Sequence, residues 1–194
     1  PDRALVRLRL ASSGVPENDE GYTLKIDSSG IDLASRNERG LFYGIQTLND
    51  LLRKAEQPAL PFCAIRDYPT LALRGVFLYA GNPRLKELID LFASLKFNTV
   101  VLEFGSGLPY PGRTFGKEKW TQAQLDDLLA YIRNRKMEVI PHLQLLSHAQ
   151  WLASHPDYLD LIEDKSMAKS WNVAYCPSDP RIRKIVAEVV EGTI

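Results

Sequence analysis

The run LRGVFLYAGNPRLKELIDLFASLKFNTVVLEF, residues 73–104, sets an apolar strand, an amphipathic helix and a second apolar strand end to end. Within the helix, Leu85, Leu88, Ile89 and Phe92 recur at the 3.6-residue period of a buried face. NTVVLEF is almost wholly apolar, as expected of a strand covered on both faces. The pattern continues C-terminally. TQAQLDDLLAYIRNRK reads as a helix capped by Thr121, and MEVIPHLQLL as a third strand. HAQWLASHP and PDYLDLI read as short helical pieces. DPRIRKIVAEVVEG reads as a longer helix, with Asp179 and Pro180 at its start and Gly192 at its end. Alternating strands and helices imply a parallel sheet. Residues 73–79, 98–104 and 138–144 are therefore predicted to be three neighbouring parallel strands with right-handed crossovers.

Working back toward the N-terminus, the pattern changes at DYPTLA, residues 67–72. Residues 5–10 alternate apolar and charged, as a half-buried strand does. GYTLKID and GIDLAS flank a turn at residues 28–30 and predict a hairpin. NERGLFYGIQTLNDLLRKA predicts a helix whose Gly40 and Gly44 permit close approach to a sheet, and a last strand follows it. The expectation is a small α+β domain over residues 1–68 and an α/β portion over 69–194.

Composition narrows the function classes. Twenty-four basic and 24 acidic side chains cancel, so charge gives no reason to expect nucleic acid as a partner. The apolar runs are too short to span a bilayer, so no membrane partner is expected. The first residues lack a charged-then-apolar leader pattern, and the sequence leaves localisation open. Cys63 and Cys176 are expected to be buried thiols; their spacing supports neither a disulfide framework nor a metal site. No cofactor and no metal are expected.

The order of several segments carries a resemblance. EGYTLKI and GLFYGIQTL, then RDYPTLALRGVFL, FASLKFNTVVLEF, LPYPG, WTQAQLDDLLAYIRNRKMEVIP, HLQLLSHAQW and YCPSDPRIRKIVAEVV together resemble glycoside hydrolase family 20, the exo-β-N-acetylhexosaminidases, and within it the hexosaminidase D-like branch. The resemblance implies a helper domain followed by the first βα units of a truncated (β/α)8 TIM barrel, a fold of eight strands and typically about 250 residues. It implies retaining, substrate-assisted removal of terminal β-linked N-acetylhexosamine from a glycan. A glutamic acid protonates the leaving oxygen, and the aspartate before it orients the acetamido group. That Asp-Glu pair is expected at the end of the fourth barrel strand, beyond residue 194, so no catalytic residue is expected in this chain. Asp19-Glu20, in a polar loop, reads as a solvated turn. The remainder of its own barrel is an implied partner. Alternative readings are a degenerate barrel that binds glycans without cleaving them, or another glycosidase family sharing the helper domain.

The resemblance makes His148, after the third strand, a candidate substrate-binding residue. Asn82 stands where the family commonly has a sugar-binding arginine, Tyr79 where it has an aspartate, and Ser106 where another aspartate is expected. His142 and Gln144 replace carboxylates of many members. Glu103, at a strand end, could face the pocket. Trp171, in a polar loop, could stack on a sugar face, whereas Trp120 and Trp151 read as core. Arg74 reads as structural. The expected substrate-binding set is His148, Asn82, Glu103 and Trp171.

Overall fold

The structure, a computed structural model, describes residues 5–55, 59–104 and 120–192. It divides into two compact units.

The first unit comprises Pro1–Gly75 with Glu87–Thr99 and Arg135–Met137. Its sheet is built from β1 (Val6–Leu10), β2 (Tyr22–Asp27), β3 (Gly30–Ser35) and β4 (Cys63–Asp67), in the order β1-β3-β2-β4, with α1 (Glu38–Lys54) between β3 and β4 in sequence. The predicted hairpin is β2–β3, antiparallel with Leu24 opposite Leu33. β1 runs parallel to β3, and β4 antiparallel to β2. Alternation along β2 turns Tyr22, Leu24 and Ile26 inward, where they meet Leu33, Tyr43 and Leu48 in one apolar core. Asn37 caps α1, its Oδ1 accepting from the backbone N–H groups of Arg39 and Gly40. The two glycines do what their spacing predicted. A Cβ at Gly44 would run into Leu33 Cδ1, and one at Gly40 into the Ser35 hydroxyl and the Gly21 carbonyl.

All five residues of β1 are exposed, whereas its alternation predicted half-burial; β1 is an edge strand, and α1 packs mainly on β2 and β3. Glu20 is not a solvated turn residue: it is 7% exposed. The Asn18 side chain and carbonyl fold the turn, accepting from Glu20 N and Gly21 N, and the carboxylate points inward. There it pairs with the Arg74 guanidinium, accepts from Asn98 Nδ2 at 2.9 Å and lies 3.7 Å from Arg39. A buried carboxylate needs such company to offset its lost hydration. Arg74 also donates to the carbonyls of Lys96 and Leu71, a structural role as its position implied. Beside it, Lys96 Nζ donates to Asp67 and to the Tyr22 hydroxyl, both at 2.9 Å.

The second unit comprises Val76–Lys86, Val100–Asn134 and Glu138–Ile194. Its sheet contains β5 (Gly75–Tyr79), β6 (Thr99–Glu103) and β7 (Glu138–His142), in that order, with α2 (Leu85–Ser94) and α3 (Gln122–Arg133) as the intervening helices. The first residue of β5 and of β6 belongs with the first unit. Asn98 N bonds to Arg74 O and Ala80 N to Glu103 O, so residue numbers rise together along β5 and β6, and the two are parallel. The end of β6 likewise meets the end of β7, through Glu103 and His142. The three strands predicted from sequence are thus present, adjacent and co-directional. Thr121 and Gln124 form a reciprocal capping box on α3. β6 departs from the expectation of burial on both faces, for Val101 and Glu103 are half-buried. On the same face Phe77, Tyr79 and Ile140 are exposed.

Beyond β7 the chain forms α4 (Gln150–Ala153), 3₁₀ turns at Pro156–Leu161 and Lys165–Met167, and α5 (Pro180–Glu191). Trp151, Leu152, Leu161, Val173, Tyr175 and Ile185 are among the residues of its apolar core. Asp179 caps α5 and Pro180 opens it, as predicted. Cys63 and Cys176 are free and half-buried, less covered than expected.

Candidate functional site

Parallel strands deliver their C-terminal ends to one rim, here occupied by Tyr79 of β5, Glu103 of β6 and His142 of β7. The Glu103 side chain is 15% exposed, which is low for a carboxylate at a strand end. Gln144, two residues past the end of β7 and therefore on the same side as His142, donates from Nε2 to Glu103 Oε1 at 3.3 Å. His142 Nδ1 lies 3.8 Å from Glu103 Oε2, and it is buried without a hydrogen bond. The Phe77 and His142 rings pack in a T-shaped pair with their centroids 5.1 Å apart. The outcome is a carboxylate held by an amide on one oxygen and faced by an imidazole on the other.

His148 lies in the loop after β7, with φ of 55°, in the left-handed region that histidine adopts more readily than branched residues do. Its Nδ1 is 2.8 Å from the Trp171 carbonyl, and the two rings lie 5.2 Å apart. A carbonyl oxygen can only accept, so Nδ1 carries the proton and Nε2 is left as the free position. The Gln150 amide also donates to the Ser170 and Trp171 carbonyls, tying the tryptophan loop to the start of α4. Trp171 itself is 72% exposed.

Asn82 serves another purpose. Its Oδ1 accepts from Arg84 N at 2.8 Å and its carbonyl from Leu85 N, so it organises the turn into α2. Among the described residues no hydrogen bond or ring contact joins Asn82 to Glu103, or either of them to the His148–Trp171 pair. Ser106 lies outside the described residues. Trp151 is core, with its indole N–H donating to the Gln144 carbonyl at 2.8 Å; Trp120 packs edge-on against Phe104. His155 caps the 3₁₀ turn that follows it. His142 and Gln144, which stand where many family members have carboxylates, are not in the expected substrate-binding set. The signal was available: they are two apart at a strand end, next to the strand that ends in Glu103. Among the described residues, no three His, Cys, Asp or Glu side chains gather in a way that could hold a metal ion.

The fold and this rim define an α/β protein with polar side chains gathered at the ends of parallel strands. Residues 2–68 match the pattern of glycosyl hydrolase family 20, domain 2. The β-hexosaminidase of Akkermansia muciniphila is 28% identical over 93% of this chain and 43% of its own length. That of Porphyromonas gingivalis is 25% identical over 92% of this chain and 28% of its own length. Among solved structures, a β-N-acetylhexosaminidase superposes with a TM-score of 0.76 at 25% identity, covering 98% of this chain and 47% of that one. A family 20 β-N-acetylglucosaminidase superposes at 0.79 with 21% identity, a likeness of fold. The family 20 match is carried by residues 2–68, and the chain as a whole is similar to the β-hexosaminidases named above. It spans less than half the length of these relatives.

Proposed function

We propose that this chain supplies the helper domain, residues 1–68, and the first βα units of a (β/α)8 barrel, residues 69–194, to a retaining exo-β-N-acetylhexosaminidase. The observation that carries the reading is the polar rim itself. Glu103, His142 and Gln144 gather where parallel strands end, and in barrel enzymes that is the face on which chemistry is built. The substrate is a glycan ending in a β-linked N-acetylhexosamine. Its acetamido carbonyl attacks the anomeric carbon as a carboxylic acid protonates the leaving oxygen, and water then opens the cyclic intermediate. That acid and its neighbouring aspartate come from sequence outside these 194 residues. This chain provides binding: Glu103 accepts from sugar hydroxyls, His148 offers Nε2, and the exposed Trp171 indole lies against the apolar face of a pyranose. Asn82 contributes least, because its carbonyl oxygen is already engaged at the turn. The open face of the three-stranded sheet is covered by the rest of the barrel.

The neutral, locally bonded Asn82 also favours a second reading, a glycan-binding barrel without turnover. One assay separates the two. Residues 1–194 and the full-length protein are incubated with an aryl N-acetyl-β-glucosaminide, and chromophore release is followed. The full-length protein is expected to turn over and the 194-residue chain to show none, since a positioned proton donor is worth roughly 10²–10⁴-fold. A full-length protein that binds the glycoside without releasing the aryl group establishes the second reading. Turnover by the 194-residue chain near the full-length rate refutes the placement of the acid.

A further inference from the structure

The least satisfied group on the rim is the His142 ring. Its Nδ1 is buried and lacks a hydrogen bond, yet the side chain as a whole is 37% exposed. The edge that reaches solvent is therefore the one away from Nδ1, and it carries Nε2. Phe77 supports the ring edge-on and offers no hydrogen bond. The polar group facing Nδ1 is Glu103 Oε2, at 3.8 Å, while Gln144 occupies Oε1. A gap of that length closes to a hydrogen bond with about 1 Å of side-chain movement. A buried ring nitrogen facing a carboxylate settles as the donor, because a lone pair directed at a negative oxygen is repelled and an N–H directed at it is attracted.

We propose that Glu103 fixes His142 as the Nδ1–H tautomer, so that Nε2 presents a lone pair on the rim as an acceptor for a saccharide hydroxyl or amide N–H. Gln144, Glu103 and His142 then form one polarised chain: amide N–H to Oε1, Oε2 from Nδ1–H, and Nε2 outward. Gln144 is a positioning residue that acts through Glu103, and His142 is a ligand-contacting one. The tautomer stands on this geometry alone, whereas the saccharide as ligand rests on the proposed function.

The test is ring-nitrogen NMR of the 15N-histidine-labelled 194-residue chain at mildly alkaline pH, where a neutral imidazole reports which nitrogen is protonated. The His142 signals are expected to show Nδ1 protonated and Nε2 bare. Glu103→Ala should shift them toward the Nε2–H form. Glu103→Gln keeps the shape and guards against loss of fold; it should move them in the same direction but less. An Nε2–H ring in the unmodified chain, or an Nδ1–H ring that survives both substitutions, overturns the proposal. N-acetylglucosamine is then added, with the Trp171 indole as second reporter. A shift at His142 Nε2 supports its ligand-facing role. A shift at Trp171 with His142 unmoved overturns that role and leaves the proposed function standing. Silence of both at saturating sugar overturns the saccharide reading, and the ligand-facing role with it.

Discussion

At Glu20 a carboxylate gives up its water for the guanidinium of Arg74, the amide of Asn98 and the nearby charge of Arg39. Glu20→Ala strips Arg74 and Asn98 of this partner together, and should cost about 3 kcal/mol in urea melts, the low end for breaking a buried pair. Adding Arg74→Met should recover part of that loss; strict additivity of the two would mean that they do not interact. Nearby, burial and then the negative charge of Glu20 push the Tyr43 hydroxyl up to about 12, against the opposing pull of Arg74 and Arg39. The folded state therefore holds this proton at a pH where the unfolded chain has released it. Stability is full below the ordinary tyrosine range near 10 and is lost as pH rises from there through about 12. Tyr43→Phe should flatten that alkaline loss. It should cost little at neutral pH, because the buried hydroxyl makes no hydrogen bond. A thermal-melt series from pH 8 upward checks both parts, and an unchanged alkaline slope would count against this account. None of this was legible in the sequence. Asp19-Glu20 looks like any polar turn, and burial came from partners 54 and 78 residues away.

Elements were more legible than residues, and the reason is periodicity. α1 announced its buried face by spacing, and its glycines announced a close approach that Leu33 and Ser35 now fill. Gly44→Ala improves intrinsic helix propensity by about 1 kcal/mol but forces a methyl onto Leu33. The clash should win, for a net loss of about 1–2 kcal/mol in thermal or urea melts. Asn49→Ala, on the exposed side of the same helix, is the control and should be neutral or mildly stabilising. If the two alanines behave alike, the close approach is not what the glycines are for. Where segments are short, periodicity fails. The stretch after His148 reads loosely as helical, but its first α-helical piece is four residues long, followed by 3₁₀ turns. Burial of strands was also misjudged at β1 and β6, because composition does not say which neighbours lie alongside.

On the scale of the whole molecule, the α/β order and the three parallel strands could be read from the sequence, whereas half of the rim could not. His148 and Trp171 meet, as two residues 23 apart in sequence need not have done, but Asn82 is spent on a turn, and His142 and Gln144 had been passed over. Side-chain convergence depends on strand register, which no single segment encodes. The sheet also leaves Phe77, Tyr79 and Ile140 exposed together on one face, in a class of sheet that is stable when both faces are covered. Residues 1–194 alone should therefore self-associate with rising concentration, visible by light scattering. Ile140→Thr with Phe77→Ser should reduce this; an unmodified chain that stays monomeric at the same concentrations would show that the face needs no cover. A last consequence concerns inheritance. The first compact unit is not a continuous stretch of gene: it borrows residues 87–99 and 135–137 from the sequence that follows. Recombination that moved only the opening segment to a new host would leave behind Lys96 and Asn98, on which Tyr22 and Glu20 depend. This unit can thus be handed on intact only together with part of the sequence after it, and the two are expected to descend together.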